Sequence, residues 1–569
     1  MTNILGINVW SHDSSACIFM GDQLICALEE ERLNGEKHSK KFPELAIERV
    51  LCAAGINFSH IDCISVGWDI KRKIRNMFLK PAINNDLEFL ALPQYFDLLK
   101  GYFNTESFIR EKYKYDGRIE FVEHHLSHSR YSQYSCNVLN AVSVVVDGFG
   151  DCETLSVFDV EGRNHKKVFG IDFPNSLGLF YSSVTDFLGF IPNCDEGIVM
   201  GLSAYGNPSA VIPGVNITYI EFFRQLVSDD NDSIFRVDNK FFPWGNYRQG
   251  YYSPLFVDIL GNARVPKGEI SDHHKNIAAA LQLRCEEVLI RIVKHAVRVS
   301  GKKDVLLSGG VALNCVANAK LSNFFEKDSI HIHVPQNPGD AGVAVGAAIN
   351  SLNSINITPK SRPLVSLGPI YPAQEIDSAV ESSPLKVTKP ISLVSQLATS
   401  IACGKICSIY QLGSEFGPRA LGFRSILASP FPASMKDTLN LRVKFREYFR
   451  PFAPIVREED VSKYFDINYF SPYMMHAVRV HPQKVTDIPA IVHIDGTARV
   501  QTVNQKDSPF IYDLLTMLGQ LTNTPIVLNT SFNVKGQPIV ETPQQAVDTI
   551  LSTNIDCLAM PPYFLEKMN

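Results

Sequence analysis

Residues 4–29, ILGINVWSHDSSACIFMGDQLICALE, read as three apolar runs joined by two short turns. Ile4–Val9 is apolar and rich in β-branched side chains, which predicts a strand. It runs into a turn at Ser11-His12-Asp13 and is followed by a second strand, Ser15–Met20. Gly21-Asp22-Gln23 supplies the next turn, and Leu24–Glu29 returns as a third strand. His12 sits in the first turn, either as a hydrogen-bonding residue of the turn itself or as a side chain facing an acceptor or a reacting carbonyl. Beyond this unit, EEERLNGEKHSKKFPELAIERVL reads as a solvated charged loop with Lys37 kept as an anion contact. Leu45, Ile47, Val50 and Leu51 behind Pro43 then predict a helix over 44–54.

Such a strand–turn–strand opening resembles that of an actin-like or sugar-kinase-like nucleotide-binding half. In those kinases the first turn usually carries an Asp-Gly-Thr phosphate loop. Here it reads NVWSHDSS, which argues against a plain phosphotransferase.

Further along, VEHHLSHSRYSQYSCNVLNAVSVVVDGFGD (122–151) concentrates metal-ligand residues. His124 and His128 stand four apart, so in a helix both imidazoles leave one face. Ala141–Val146 predicts a buried strand that delivers Asp147 at its carboxyl end. Asp340, in PQNPGDAGVAVGAA, occupies a second glycine-bearing turn ahead of a small-residue helix. His124, His128, Asp147 and Asp340 together form a His2Asp2 set of the kind that holds a first-row transition metal with coordination positions open.

Several weaker signals surround this set. The Gly201–Gly206 turn offers backbone to a ligand. His273–Ser300 predicts a long helix leading to a strand at Asp304–Leu307 and then SGGVALN. A strand, a Gly-Gly turn and a helix start favour an anion, making Gly309, Gly310 and Asn314 nucleotide-phosphate candidates. Lys71–Lys114 and 207–268 read as irregular segments near a pocket. A helix closing near Leu352 ends a first domain of residues 1–352, and Pro/Ser/Asn-rich residues 353–390 read as a linker to a second domain, 391–569.

That second part gathers Arg419, Arg424, Lys444, Arg446, Arg450 and Arg499 among Gly, Pro, Phe and Ala. Any one alone is an ordinary surface cation. As a set they suit a small doubly charged substrate and the polyphosphate of ATP, because guanidinium forks bind phosphate and carboxylate bidentately. Asn529 and Ser531 follow an apolar strand at its carboxyl end, a common ligand position in α/β sheets.

Composition narrows the class. A chain of 569 residues exceeds one core, and its net charge of −5 carries no excess suited to a nucleic-acid partner. The 12 cysteines form no CxxC pair and read as reduced thiols of a cytoplasmic protein. No apolar run approaches the about 18 residues of a membrane span, and the opening residues lack the pattern of a signal peptide.

HHLSH, DGFGD, VMGLSAYG, LSGGVALN and NPGDAGVAVGAA, in this order, resemble the nodulation/cephamycin/tobramycin-type O-carbamoyltransferase family. EFGPRALGFRSILASP, VKFREYFRPFAPIV, GTARVQTV and PIVLNTSFNVKGQPIVETP extend the resemblance over nearly the full length. It implies an α/β, actin-like (ASKHA) N-terminal domain akin to tRNA threonylcarbamoyl-transfer metalloproteins, and an α+β, YrdC-like C-terminal domain. The implied chemistry makes carbamoyl-AMP from carbamoyl phosphate and ATP, with Mg2+ accompanying the nucleotide and Arg419, Lys444, Arg450 and Arg499 at the anions. The carbamoyl group then passes to a hydroxyl of a small-molecule acceptor. The resemblance further implies iron (Fe2+) at His124, His128, Asp147 and Asp340, with His12 and Lys37 near the adenylate and acceptor. An Asp within 229–238 is the expected base. His12, Lys444 and Arg499 are the expected catalytic residues. Ser129, where relatives often carry Ala, and Tyr448 in KFREYFRP depart from the pattern without removing a ligand. A hydrogenase-maturation carbamoyltransferase would need CxxC zinc sites, and a tRNA-modifying enzyme a basic face. A non-catalytic scaffold would have lost the metal and cationic residues.

Overall fold

Strand pairing in the computed structural model follows one wiring twice. β1 (Asn3–Asn8), β2 (Ser15–Met20), β3 (Gln23–Glu29), β4 (Cys63–Val66) and β5 (Arg118–Phe121) form a sheet in the order β3-β2-β1-β4-β5. β6 (Asn140–Val146), β7 (Glu153–Glu161) and β8 (Asn164–Asp172) begin a second sheet. After a small hairpin of β9 (Val227–Asp230) and β10 (Ile234–Val237), β11 (Asp304–Ser308) and β12 (His331–His333) complete it in the order β12-β11-β6-β7-β8. In each sheet the first strand pairs antiparallel with the second and parallel with the fourth, and the fourth pairs parallel with the fifth. Helices make the crossovers that parallel pairing requires, such as Glu44–Ala53 before β4 and Cys315–Phe325 before β12. This doubled pattern is the actin-like architecture.

The structure describes residues 2–69, 93–231, 233–244, 250–360 and 365–568. Of the Lys71–Lys114 segment, expected to be irregular, residues 71–92 lie outside them and Pro93–Tyr113 is a helix; Asp232 lies outside as well. The chain divides into two compact units, Met1–Ile25 with His38–Arg362, and Cys26–Lys37 with Pro363–Asn569. Residues 26–37, read above as part of the first domain, thus belong to the second unit.

The predicted helices appear at Glu44–Ala53, Asp272–Ser300 and Ala341–Ser354. Gly346 of the small-residue pattern and Gly6 of β1 let helix Ala341–Ser354 and its neighbours approach to backbone contact. A Cβ on Gly346 would lie 1.8 Å from the Ser127 carbonyl of helix His124–Cys136, and one on Gly6 of β1 would lie 2.1 Å from the Ala344 carbonyl. Small residues here are steric necessities, and the close packing carries Asp340 to the two histidines. By contrast, the expected Gly201–Gly206 turn is shorter, because Gly201, Leu202 and Ser203 are the last turn of helix Glu196–Ser203.

In the second unit, β13 (Lys386–Thr388), β14 (Cys407–Tyr410), β15 (Arg424–Ala428), β16 (Ala453–Arg457), β17 (Ala477–Arg479), β18 (Thr497–Arg499), β19 (Gln501–Val503), β20 (Ile526–Ser531), β21 (Cys557–Met560) and β22 (Tyr563–Glu566) occur in chain order. Eight of them form one mixed sheet, β13-β22-β21-β14-β15-β20-β16-β19, and β17 pairs with β18. With helices such as Leu393–Ala402, Pro509–Thr522 and Pro543–Ser552, the unit is α+β. Within 353–390, expected to be a linker, the described residues include regular elements. Ala373–Glu381 is a helix burying Ala379 and Val380, and β13 adds an antiparallel edge to β22. The apolar spacing that makes this helix is hidden by its Pro and Ser neighbours.

Candidate metal centre and anion site

Helix His124–Cys136 presents both expected imidazoles to one point. The His124 and His128 Nε2 atoms are 3.2 Å apart, with the rings nearly perpendicular. β6 ends at Asp147, whose Oδ2 is 3.6 Å from His124 Nε2 and 3.2 Å from His128 Nε2. Asp340 heads helix Ala341–Ser354 and places Oδ1 3.5 and 3.6 Å from the same two nitrogens. All four residues are buried. Donors about 2.1 Å from one ion are separated by about 3.0 Å at cis octahedral positions and about 3.4 Å in a tetrahedron, so the observed spacings are those of ligands around a shared centre.

Further contacts aim the donors. His124 Nδ1 donates to the Gly67 carbonyl at 3.1 Å, which leaves the Nε2 lone pair for an ion. Trp68 stacks on that ring at 3.8 Å and donates its indole N–H to Asn8 Oδ1. Asp147 Oδ1 accepts from the Gly148 and Gly310 amides, turning Oδ2 toward the histidines. Among the described residues, neither Asp147 Oδ2 nor Asp340 Oδ1 accepts a hydrogen bond from any group other than those imidazoles. Two buried carboxylate oxygens left this way, with two imidazole nitrogens, match the charge and donor preference of a divalent transition ion. The neighbouring His125 is different. It bonds Ser156, and burial holds its pKa down to about 3, so it is a neutral core residue.

His12 lies beside this centre, with Nε2 3.9 Å from Asp340 Oδ2. Its Nδ1 donates to Asp13 Oδ2 at 2.9 Å, while Asp13 Oδ1 accepts from His38 Nδ1 at 2.7 Å. His38 also hydrogen-bonds the Cys194 side chain. Burial works against charge on His12, but Asp340 and Asp13 outweigh it and raise the pKa to about 9. Trp10, Asp13 and His38 are non-glycine residues with φ between 54 and 62°, and backbone strain of this kind gathers at functional sites. Asp13, His38 and Trp68 were not singled out in the sequence, where 25 residues separate Asp13 from His38.

The phosphate candidates occupy the predicted strand–turn–helix. Gly309 turns the chain at φ 86° and donates to the Pro338 carbonyl, while Gly310 supports Asp147. Asn314 caps helix Cys315–Phe325 through the Ala317 amide and pairs with Gln282. Within 229–238, Asp229 pairs with Arg284 and Arg291, and Asp230 with Arg236.

In the second unit the cations gather. A π-helical turn, Asn440–Lys444, ends at Phe445 with φ 47° and turns Lys444 inward. The Lys444 ammonium donates to Ser531 O at 2.8 Å, Ser531 Oγ at 3.1 Å, Asn533 O at 2.9 Å and Asn533 Oδ1 at 2.5 Å. Burial lowers its pKa well below the usual lysine range, and Arg446, Arg450 and Lys37 add repulsion. Arg446 is lowered by burial and then by Arg450 and Arg499, with Glu447 opposing. Lys37, Arg446 and Arg450 thus act as like charges on Lys444, and Arg450 and Arg499 on Arg446, a clustering of cations around two buried ones. Arg424 has another task. It stacks on Tyr410 at 3.6 Å and donates to the Gln411 and Leu412 carbonyls. Asn529 donates to the Ala420 carbonyl at 2.9 Å. Arg419 is half-buried in the loop between β14 and β15.

Family models described as carbamoyltransferase N-terminus and carbamoyltransferase C-terminus match residues 3–349 and 398–567. The chain belongs to the carbamoyltransferase family. A nodulation protein NolNO of Sinorhizobium fredii is 33% identical over 98% of this chain and 80% of its own length. An uncharacterised protein of Synechocystis sp. is 32% identical over 100% of this chain and 97% of its own length. A 3'-hydroxymethylcephem-O-carbamoyltransferase of Amycolatopsis lactamdurans is 28% identical over 70% and 71%. Among solved structures, phosphate- and nucleotide-bound full-length HypF is 12% identical with a TM-score of 0.35, over 63% of this chain and 56% of that one. Membership makes the chain a carbamoyl-transferring enzyme. Among the described residues no helix is long and apolar enough to cross a membrane.

Proposed function

We propose that the chain is an ATP-dependent O-carbamoyltransferase working through carbamoyl-AMP. In the second unit, carbamoyl phosphate yields carbamate and phosphate with one water. A carbamate oxygen then bonds to the α-phosphorus of ATP and pyrophosphate leaves. Lys37, Arg419, Lys444, Arg450 and Arg499, with Ser531 orienting Lys444, neutralise these anions, and fixed cations do so without reorganising during reaction. In the first unit an acceptor hydroxyl oxygen bonds to the carbamoyl carbon, the bond from that carbon to the AMP phosphate oxygen breaks, and the hydroxyl proton passes through water to solvent as AMP leaves. His12 faces that step, and His124, His128, Asp147 and Asp340 would hold Fe2+, which would supply Lewis acidity there. The acceptor is a small-molecule alcohol, supported by relatives named for carbamoylating a hydroxymethyl cephem.

The observation that carries this reading is the buried Lys444, held by Ser531 and Asn533 with Arg446, Arg450 and Lys37 as like-charged neighbours, in a unit separate from the His2Asp2 centre. Incubation with ATP, Mg2+ and carbamoyl phosphate is expected to yield carbamoyl-AMP and pyrophosphate by mass spectrometry. Lys444→Ala removes both products. His128→Ala keeps them and loses the metal measured by plasma mass spectrometry. If neither product forms from metal-loaded wild type, or if both variants lose the same step, the two-centre reading is wrong.

A further inference from the structure

The loop from Glu415 to Arg424 is fastened at its backbone by buried side chains from four other places in the second unit. The Arg32 guanidinium, which is 2% exposed, donates from Nη2 to the Glu415 carbonyl at 3.1 Å and to the Gly417 carbonyl at 2.7 Å. On the far side of Arg419, Asn529 Nδ2 holds the Ala420 carbonyl at 2.9 Å and Gln501 Nε2 holds the Leu421 carbonyl at 2.9 Å. Gln411 Nε2 holds the Gly422 carbonyl at 2.8 Å. The Glu415 carboxylate closes the loop on itself by accepting the Leu421 amide at 2.6 Å. These attachments flank Pro418 and Arg419 on both sides, and Gly417 takes φ 127°, a conformation L side chains rarely adopt.

The same framework continues into the cationic site. Asn529 and Ser531 are alternate residues of β20 and so share a face, one holding the Arg419 loop and the other holding Lys444. Gln501 follows Arg499 by two residues at the β18–β19 junction. Arg32 is kept in place by its own counter-charges. Glu29 lies 3.5 Å from its Nε, and Glu415 and Glu541 are further acidic neighbours. A buried guanidinium solely balancing acids has no need of two carbonyls two residues apart. A guanidinium bridging them fixes where the intervening chain goes.

We infer that Arg32 is a positioning residue: with Asn529 and Gln501 it sets the placement of the Arg419 side chain for the anionic substrate of the second unit. The inference rests on the carbamoyl-adenylate reading above. It also gives Asn529 a role through the loop, in place of direct substrate contact.

A double-mutant cycle in the full-length enzyme tests it. Carbamoyl-phosphate-dependent release of pyrophosphate from ATP is measured for wild type, Arg32→Lys, Arg419→Ala and the double variant, with melting temperatures alongside. Arg32→Lys keeps the charge that Glu29 and Glu541 face but loses the planar fork. It is expected to lower kcat/KM for carbamoyl phosphate roughly ten- to a hundredfold, the scale of a misplaced binding group. In the Arg419→Ala background the same change is expected to cost less than about twofold, because the residue it places is gone. A full additional loss on top of Arg419→Ala overturns the inference. Asn529→Ala runs as an independent cycle with the same expectation, should Arg32→Lys fail to fold. Calorimetric binding of pyrophosphate gives both cycles without turnover. A wild type that binds pyrophosphate but makes no carbamoyl-AMP would sink the functional reading, and the binding cycles would still decide the role of Arg32.

Discussion

Asp13 accepts hydrogen bonds from two imidazoles at once, and a pH dependence of stability follows from that arrangement. Burial opposes charge on His38, but the Asp13 hydrogen bond and then Cys194 overcome it and raise its pKa from the ordinary 6.5 to about 11. A raised histidine pKa contributes stability that is whole below pH 6.5 and disappears as pH climbs toward that upper value. Asp13 is depressed despite burial, by His12 and His38, so its own contribution is present above its ordinary pKa and is lost below it. The metal-free protein is therefore expected to lose melting temperature between pH 6.5 and about 11. Asp13→Asn should flatten that slope, and equal slopes in the two proteins would contradict the arrangement. A second consequence concerns the ion. With no metal bound, Asp340 and Asp147 overcome burial and hold His124 protonated to about pH 10, so metal uptake at neutral pH must expel about one proton from it. Titration calorimetry in buffers of different ionisation heat measures that release. An uptake independent of buffer would be the contrary result.

The approach of helix Ala341–Ser354 to helix His124–Cys136 is what brings Asp340 to the histidines, and Gly346 permits it. Gly346→Ala places a methyl 1.8 Å from the Ser127 carbonyl, so the helices must part. Overpacking of this kind is expected to destabilise the fold by about 1–3 kcal/mol in urea melts. Metal stoichiometry should fall as Asp340 withdraws, whereas Ser129→Ala, outside that approach, should leave it intact. What the sequence disclosed at this scale was periodicity. The four-residue spacing of His124 and His128, the apolar run ending in Asp147 and the glycine-rich turn at Asp340 are local patterns, and each was legible. Partners brought from far along the chain were not. Asp13 and His38 meet through left-handed backbone at non-glycine residues, which no local preference announces. Asn314 and Asn529 sit where ligands commonly bind, yet each has a backbone partner nearby, and position after a strand does not tell these apart. Arg424 and Arg446 look equivalent in sequence. Tyr410 and backbone carbonyls make one a piece of the core, while the other has Arg450 and Arg499 as like-charged neighbours.

At the scale of the molecule, domain order along the sequence and unit membership in space disagree, because residues 26–37 fold with residues 363–569. The repeated sheets of the first unit were foreshadowed by its opening strands, but nothing local marks those twelve residues as belonging elsewhere. A fragment of residues 363–569 lacks Arg32 and leaves buried Glu541 and Glu415 without that counter-charge. Such a loss is expected to cost about 3–5 kcal/mol. Urea midpoints of the fragment alone, and of the fragment fused to residues 26–37 by a short linker, measure it. Identical midpoints would mean that the segment is dispensable. Synthesis imposes its own timetable on the same feature. The ribosome delivers residues 26–37 long before residue 363, and at about 5–20 residues per second the interval is roughly 20–70 s. For that period the nascent chain carries an arginine whose carbonyl partners, Glu415 and Gly417, do not yet exist. The first half must leave it unclaimed, or hold it loosely enough to surrender, until the last third of the polypeptide emerges.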